Sequence, residues 1–341
     1  MSIRQKTAVT ASVTGLLALA ACGGTSAGGA EGDGSGGEIN IVGYSVLEQA
    51  NTAVIEGFQK TDAGSGVTFK TSYGASGDQS RAVEAGQVAD EVHFSLEPDV
   101  TRLVDAGIVA EDWKDNDTKG VCTQSVVVLV VRSGNPKGIE SWDDLAKPGV
   151  GIITPNPASS GSAKWNLLSA YGHVIANGGS EADAEQYIKD FFENVVALPD
   201  SGRDATTAFE NGNGDVLLSY ENEAILARQS GAEFDYVVPD ETLLIENPCT
   251  VTEDASEAAS AFLDYQKSED GQRAYAETGY RPLVEIPDLT VEGANDPADA
   301  FPEPKVLQTV DADFGGWDEA NTKYFDENDG IIAKLQAQAG Q

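Results

Sequence analysis

The sequence predicts an α/β fold built as two doubly wound lobes that extended hinge segments join. Segments with strand patterns alternate with segments with helix patterns along most of the chain, which indicates mostly parallel sheets. At 341 residues the chain is longer than one compact core usually accommodates. With 40% hydrophobic residues and a mean hydropathy of −0.25, the composition is that of a soluble protein with a substantial core.

The first part of the alternation lies between residues 39 and 105. INIVGY is a short β-rich run, VTFKTSYG alternates apolar and polar residues, and DEVHFSL has a strand pattern. A helical pattern follows each of these runs. The predicted strands are 39–44, 67–74 and 90–96, and the predicted helices are 48–58, 77–85 and 98–105.

The second part begins with the continuous apolar run SVVVLVVR (125–132), which is typical of a strand that is buried on both faces. The segment ENPCTVT (246–252) is extended again, and the residues after 290 are rich in loops. The other predicted strands are 151–154 and 215–220, and the predicted helices are 141–145, 164–176, 181–192, 221–229, 255–266, 271–277 and patches around 317–324 and 331–338.

The N-terminus has the features of an export signal, which we place at residues 1–21. Arg4 and Lys6 form a short basic region, and a short apolar run follows and ends in LAAC. This ending resembles the bacterial lipoprotein processing box, in which the cysteine, here Cys22, becomes lipid-modified. Residues 22–38 are rich in Gly and Ser and are expected to form a flexible tether. The alternative is a plain secretory signal with a chance cysteine.

The charge of the chain excludes two classes of partner. The formal net charge is −35, from 21 basic and 56 acidic residues. Nucleic acids and anionic surfaces require a basic patch, so neither is expected as a partner. An anionic ligand would approach against the overall field, so its attraction would have to be local.

Four loops could supply such a local attraction. In each, a strand ends, small residues follow, and a helix begins: Tyr44-Ser45, SYGASGDQ (72–79), PASSGSAK (157–164) and DSGRDATT (200–207). The first N–H groups of a helix have no partner within it and carry the positive end of the helix dipole. Several such helix starts that converge would bind an oxyanion without a basic side chain. The alternative is that each loop is only an ordinary helix cap.

Other reactive side chains give no pattern of a catalytic or metal site. His93 and His173 are the only histidines, and they lack metal-ligand spacing. We therefore expect no metal and no cofactor. Apart from Cys22 the chain has two cysteines, Cys122 and Cys249, which permit one disulfide outside the cytoplasm or two separately buried thiols.

From residue 39 onward the chain resembles the periplasmic sulfate-binding proteins of ABC importers. The resemblance implies a type II periplasmic-binding-protein fold, in which two hinged lobes enclose one dehydrated sulfate between uncharged donors. The stretches that carry it are SYGASGDQ, RSGNPKGIESWDDLAKPGVGIITPNPASSGSAKWNLLSAYG, NGNGDVLLSYENEA, SEDGQRAYAETGYRP and FGGWDEA.

The resemblance also implies a set of ligand-binding residues and a role for each. Ser45 and Gly202 would donate through backbone N–H groups, Ser76 would donate through its hydroxyl, and Arg203 would support the loop beside it. The remaining candidates are the helix-start cradle of Ser160, Gly161 and Ser162, together with Tyr220.

Three positions depart from the pattern of that family. Tyr220 replaces a tryptophan, and its hydroxyl can accept as well as donate a hydrogen bond. Ser162 replaces a second glycine, and Asp78 stands where a lysine is common. An acceptor that faces the ligand would favour a protonated oxyanion such as phosphate over sulfate. We expect Asp78 to face solvent in the first turn of its helix.

The resembled fold divides the chain at the hinge. It places residues 39–121 and 249–290 in lobe 1 and residues 122–248 in lobe 2, and it leaves the packing of residues 291–341 open. Cys122 and Cys249 then lie where the chain crosses between the lobes, so we predict a disulfide there.

The expected function is an extracytoplasmic, lipid-anchored receptor that binds sulfate and delivers it to an ABC importer permease without catalysing a reaction. The nearest alternative ligand is thiosulfate, followed by molybdate, tungstate or phosphate. From different classes, a serine hydrolase that uses Ser76 or Ser160, or a structural surface lipoprotein, remain open.

Overall fold

The computed structural model describes residues 37–341. The predicted signal, the lipidation at Cys22 and nearly all of the tether lie outside these residues. In the described part of the chain, no helix is both long enough and apolar enough to cross a membrane.

The first half of the sheet consists of three strands that pair in parallel, with β1 in the centre. Each strand leads into a helix that begins within about four residues of the end of the strand, so the carboxyl ends of the strands and the starts of the helices share one edge. The elements are β1 Glu38–Tyr44, α1 Leu47–Phe58, β2 Thr68–Gly74, α2 Ser76–Glu84, β3 Glu91–His93 and α3 Glu97–Asp105.

Helix α1 shows why these segments fold as they do. Its buried apolar residues Leu47, Ala50, Val54 and Phe58 recur at helical spacing, so one face of the helix packs on the sheet. Helix α3 carries Pro98 in its first turn, where proline costs no hydrogen bond.

The second half of the sheet has the order β6-β5-β7-β4, and β8 also pairs with β4. Strand β5 pairs in parallel with β6 and β7, whereas β4 is antiparallel to β7 and β8. The elements are β4 Val121–Arg132, β5 Ile152–Ile153, α4 Gly161–Ala176, α5 Glu181–Glu193, β6 Val195–Ala197, α6 Gly202–Glu210, β7 Val216–Tyr220, α7 Glu221–Gln229 and β8 Phe234–Val237.

Two long strands connect the halves. The first part of β4 pairs antiparallel with β9 (Glu241–Val251), and the end of β9 pairs antiparallel with β3. Cys122 on β4 and Cys249 on β9 are disulfide-bonded in the structure, with Cα atoms 5.7 Å apart. These strands are the extended connections that the sequence predicted. Their antiparallel pairing was not predicted. It arises because β4 leads from the first half to the second and β9 leads back beside it in the opposite direction.

After β9 the chain returns to the first half of the sheet and then passes to the second. Helices α8 Glu257–Lys267 and α9 Glu269–Glu277 cover the first half, where α9 lies against α1. Strand β10 (Val306–Gln308) then pairs in parallel with β9. Helices α10 Val310–Phe314, α11 Trp317–Ala320 and α12 Ile331–Gln338 complete the fold.

The predicted alternation of strands and helices is confirmed, but the short strands β6, β8 and β10 were not predicted. The helix expected at 141–145 is a single 3-10 turn, Trp142–Asp144, and helix α4 begins at Gly161, three residues before the predicted start at 164. The apolar run in β4 is fully buried on both faces from Val126 to Val130, as its composition indicated. The residue ranges given for the two lobes stay a prediction.

Candidate functional site

A small cavity lies where the helix starts of the two halves of the sheet meet. Its volume is about 10 Å³, close to the smallest space that holds one water molecule. Six of the seven predicted ligand-binding residues line it; the seventh, Tyr220, lies directly behind it. The lining residues are Tyr44, Ser45, Val46, Ala75, Ser76, Ser95, Ser160, Gly161, Ser162 and Gly202.

The first half of the sheet contributes the starts of α1 and α2. The N–H of Ser45 is not free, because it donates to the carbonyl oxygen of Gly74 at 2.8 Å and so continues the pairing of β1 with β2. The free N–H at this corner belongs instead to Val46, which the sequence did not single out. The N–H of Ser76, the first residue of α2, likewise donates to no atom of residues 37–341.

The Ser76 hydroxyl has a different partner from the one that the sequence predicted. It donates to Asp99 Oδ2 at 2.7 Å, and its oxygen accepts the N–H of Ser95 at 2.9 Å. Burial raises the pKa of Asp99, although the hydrogen bond from Ser76 and the charge of Lys164 oppose this rise. The side chain of Ser76 therefore fixes the loop, while its backbone N–H faces the cavity.

The second half of the sheet contributes the starts of α4 and α6. The N–H groups of Gly161, Ser162 and Gly202 lie in the first turns of these helices, where the helix supplies no partner, and none of them bonds elsewhere within the described chain. The hydroxyl of Ser201 caps α6 by accepting the N–H of Asp204 at 3.1 Å. One backbone bond, from Gly77 N–H to the oxygen of Ser159 at 3.2 Å, joins the two halves beside the cavity.

Gly161 is placed where a side chain would collide with the opposite half. A Cβ atom on this residue would lie 2.5 Å from Ser95 Oγ and 2.8 Å from Leu96 Cγ. The absence of a side chain lets the start of α4 approach the end of β3 closely. This is a packing reason for glycine here, in addition to the exposure of its N–H.

Ser95 and Tyr220 form a buried pair of hydroxyl groups across the two halves. Their oxygens are 2.6 Å apart, and either can be the donor. Burial raises the pKa of Tyr220 well above its usual value, so its hydroxyl stays protonated. Ser95 was missed at the sequence level, although its position just beyond the carboxyl end of β3 is where ligands of α/β sheets bind.

The surroundings of the cavity are neutral. Among the described residues, none that lines the cavity carries a charge. Arg203 points away and bonds the buried Glu223 at 3.0 Å and Gln49 at 3.1 Å. Asp78 pairs with Arg81 at the surface, where more than half of its side chain is exposed, as expected.

This arrangement can bind a compact anion. Five N–H groups at four helix starts lie around a space that is lined mostly by buried residues and by no charged side chain among residues 37–341. In such a space the helix dipoles and N–H groups are poorly screened, so they attract an anion strongly over a few ångström. The net charge of −35 acts at longer range and is screened by salt.

The histidines lie away from the cavity. His93 bonds Thr123 at 3.2 Å inside the first half, and His173 lies between Asp143 and Glu241 near the end of α4. Ser76 and Ser160 therefore have no histidine base beside them. Donor atoms of Glu91, His93 and Cys249 come within 4.8 Å of one another, but the sulfur of Cys249 is bonded to Cys122.

Comparison with known proteins places the chain in a family. Residues 39–281 match the family described as bacterial extracellular solute-binding protein. A sulfate-binding protein from Synechococcus elongatus is 38% identical over 96% of this chain and 94% of its own length. A sulfate-binding protein from Escherichia coli is 37% identical over 82% of this chain and 86% of its own.

Solved structures agree with the fold. The sulfate-binding protein SubI from Mycobacterium tuberculosis is 46% identical, covers 85% of this chain and 99% of its own, and superimposes with a TM-score of 0.79. A periplasmic thiamin-binding protein is only 16% identical but has a TM-score of 0.68, so it shows the shared fold alone, over 89% of this chain and 96% of its own. The predicted type II periplasmic-binding-protein fold is thereby confirmed. The chain therefore belongs to the bacterial extracellular solute-binding protein family, and relatives named for sulfate binding are among its matches there.

Proposed function

We propose that this chain is a receptor that encloses sulfate between two lobes and delivers it to an ABC importer permease. The observation that supports this most is the convergence of N–H groups from four helix starts on one small cavity with an uncharged, mostly buried lining. A doubly negative tetrahedral ion has enough acceptor positions to receive all of them, and it needs no counter-charge where the dipoles converge.

The size of the cavity supports an inorganic ligand. At about 10 Å³ the space is far below the volume of pockets that take amino acids, sugars or cofactors. A tetrahedral oxyanion requires the walls to move apart slightly, whereas an organic ligand would require the two halves to separate widely.

The relatives favour sulfate over thiosulfate. The curated sulfate-binding proteins are 36–39% identical to this chain, and the thiosulfate-binding proteins of Pseudomonas aeruginosa and Escherichia coli are 34% and 32% identical. Thiosulfate is the second candidate, because it differs from sulfate by one larger and softer atom that the same N–H groups would accommodate.

The proposed ligand contacts are mostly backbone groups. The N–H groups of Val46, Ser76, Gly161, Ser162 and Gly202 donate to the anion. The hydroxyl of Ser160 supplements them, Ser45 shapes the wall, and Tyr220 supports the wall from behind through its hydrogen bond with Ser95. We assign no reaction to this site, since neither histidine lies beside its serines and the carboxylate that Ser76 contacts, Asp99, fixes the loop.

The N-terminal sequence motivates the proposed lipid anchor, and the family supports an extracytoplasmic setting. We propose that Cys22 anchors the receptor to the outer face of the cell membrane and that residues 23–38 act as a tether. Lobe 1 then comprises residues 39–121 and 249–290, and lobe 2 comprises residues 122–248. Sulfate binds the closed state better than the open state, so it shifts the hinge equilibrium toward the form that docks on the permease.

Titration calorimetry of residues 37–341 with sulfate, thiosulfate, molybdate and phosphate tests the proposal. We expect sulfate to bind one to one and more tightly than the other ions. Tighter binding of thiosulfate would support the second candidate, and no heat with any oxyanion would contradict an oxyanion receptor.

A further inference from the structure

We propose that Ser95 is a further ligand contact, and that its hydroxyl pair with Tyr220 lets the site accept both fully deprotonated and protonated tetrahedral oxyanions. This inference rests on the proposed function and extends it to the ligand class. It is based on three features: the position of Ser95 in the cavity wall, the way its backbone is held, and the pairing of the two hydroxyls.

The side chain of Ser95 lies in the cavity wall, against Gly161. Ser95 lines the cavity, and its Oγ lies 2.5 Å from the point where a Cβ on Gly161 would stand. The side chain of Ser95 therefore fills the space beside the start of α4, next to the N–H groups of Gly161 and Ser162. An anion that accepts those N–H groups is within reach of this hydroxyl.

The backbone of Ser95 is held so firmly that only its hydroxyl can reorient. Its N–H donates to Ser76 Oγ at 2.9 Å, and its carbonyl oxygen accepts from Trp165 Nε1 at 2.9 Å and from Asn247 Nδ2 at 3.1 Å. These bonds come from both halves of the sheet. Ligand binding can therefore change the direction of the hydroxyl hydrogen at little structural cost.

The hydroxyl pair has two arrangements, because each hydroxyl carries one hydrogen and can also accept. In the first arrangement Tyr220 donates to Ser95, and the Ser95 hydrogen points into the cavity as a donor. In the second arrangement Ser95 donates to Tyr220, whose own hydrogen turns to the side chain of Ser162 or Asn247, which also face it. Ser95 Oγ then presents a lone pair to the cavity.

The two arrangements suit different ligands. Sulfate and selenate carry no hydrogen at neutral pH and use the donor arrangement. Hydrogen phosphate and hydrogen arsenate carry one hydrogen and need one acceptor, which the second arrangement supplies. Backbone N–H groups cannot make this change, because they only donate. Discrimination against a protonated oxyanion at this corner is therefore set by Ser95 and Tyr220 together.

Competition calorimetry tests this inference. Sulfate and phosphate are titrated at about pH 8, where phosphate is mainly the singly protonated dianion, into the wild type, Tyr220→Phe and Ser95→Ala. Phosphate is expected to displace sulfate from the wild type. In Tyr220→Phe the Ser95 hydrogen loses the Tyr220 oxygen as its alternative acceptor, so the ratio of phosphate to sulfate dissociation constants should rise about tenfold or more. Ser95→Ala should weaken sulfate binding by a similar factor.

Matched controls separate the pair from general effects of each substitution. Tyr236→Phe removes a buried tyrosine hydroxyl outside the cavity, and Ser169→Ala removes a buried serine hydroxyl further along α4. Both should keep the wild-type ratio. Thermal unfolding identifies a variant that fails to fold, and Ser95→Ala decides the question if Tyr220→Phe does not fold.

Each outcome has a distinct meaning. Wild-type protein that binds sulfate but not phosphate overturns the inference and leaves the proposed function intact. The inference is also overturned if the ratio of phosphate to sulfate dissociation constants in Tyr220→Phe stays within twofold of the wild-type ratio. It is overturned as well if Ser95→Ala binds sulfate as tightly as the wild type. Wild-type protein that binds neither ion contradicts the proposed function itself.

Discussion

Gly161→Ala tests whether the two halves of the sheet must approach closely for a ligand to bind. The added Cβ would lie 2.5 Å from Ser95 Oγ, 2.7 Å from Ser95 Cβ and 2.8 Å from Leu96 Cγ, all of them on the opposite half. None of these atoms belongs to the end of a long flexible side chain, so the halves themselves must shift apart.

The magnitude follows from the cost of overpacking. A methyl group forced into a filled space costs about 1–3 kcal/mol. The collision arises only when the halves are together, so the cost opposes closure on the ligand rather than folding of each half. At about 1.4 kcal/mol for each factor of ten, sulfate binding should weaken about 5- to 150-fold.

Two further glycine-to-alanine variants, in which the added Cβ meets fewer close atoms or none, serve as comparisons for Gly161→Ala. A Cβ on Gly202 would meet Val46 Cγ2 at 3.1 Å and Ser162 Oγ at 3.4 Å, so Gly202→Ala should weaken binding less than Gly161→Ala. Gly37 has no atom within 4 Å of its added Cβ, and Gly37→Ala should bind as wild type. Calorimetry measures affinity, and thermal unfolding without ligand measures stability. A sulfate dissociation constant of Gly161→Ala within twofold of the wild-type value would show that binding does not require this close approach of the two halves.

Three further predictions concern stability. Burial raises the pKa of Glu91 to about 8 from 4.5, so the native state holds the extra proton and the free energy of unfolding should fall as pH rises from about 4.5 to about 8. In urea unfolding at about pH 5 and pH 8.5, the free energy of unfolding should fall more in wild type than in Glu91→Gln, because other buried carboxyls with raised pKa values remain in both; an equal fall in the two proteins would contradict this. Replacing Cys122 and Cys249 by serine should cost about 5 kcal/mol, since the bond closes a separation of 127 residues; two free thiols in native protein by mass spectrometry would contradict the disulfide. Arg203→Met leaves the Glu223 carboxylate buried without a counter-charge, so the free energy of unfolding in denaturant should fall by about 3 kcal/mol. A second substitution, Glu223→Gln, should restore most of this loss. No recovery of stability in the double variant would argue against the ion pair.

The sequence predicted those parts of the fold that depend on local patterns. Alternation of polar and apolar residues located β2 to within one residue, and the apolar run of β4 gave its burial on both faces. Small residues between a strand and a helix indicated the loops in which α2, α4 and α6 begin. The first N–H groups of a helix have no partner within it, so this feature can be predicted from the local sequence.

What the sequence could not predict depends on contacts between distant residues. Ser45 N–H is used by Gly74, 29 residues away, because β1 and β2 pair as far as that point, and this moves the free N–H to Val46. The Ser76 hydroxyl is taken by Asp99, which was indistinguishable from the other acidic residues until the fold brought α3 beside α2. Ser95 lay inside the predicted strand 90–96, and its pairing with Tyr220 at 2.6 Å joins residues that are 125 positions apart.

The central claim is that neutral N–H groups from both halves bind one dianion in the cavity of a strongly acidic protein. A crystal of the protein grown with selenate, a sulfate analogue, locates the anion directly through the anomalous scattering of selenium. We expect one strong peak in the cavity, with selenate oxygens about 2.7–3.2 Å from the backbone nitrogens of Val46, Ser76, Gly161, Ser162 and Gly202. A peak that lies only at surface lysines or arginines, with the cavity empty, would contradict it.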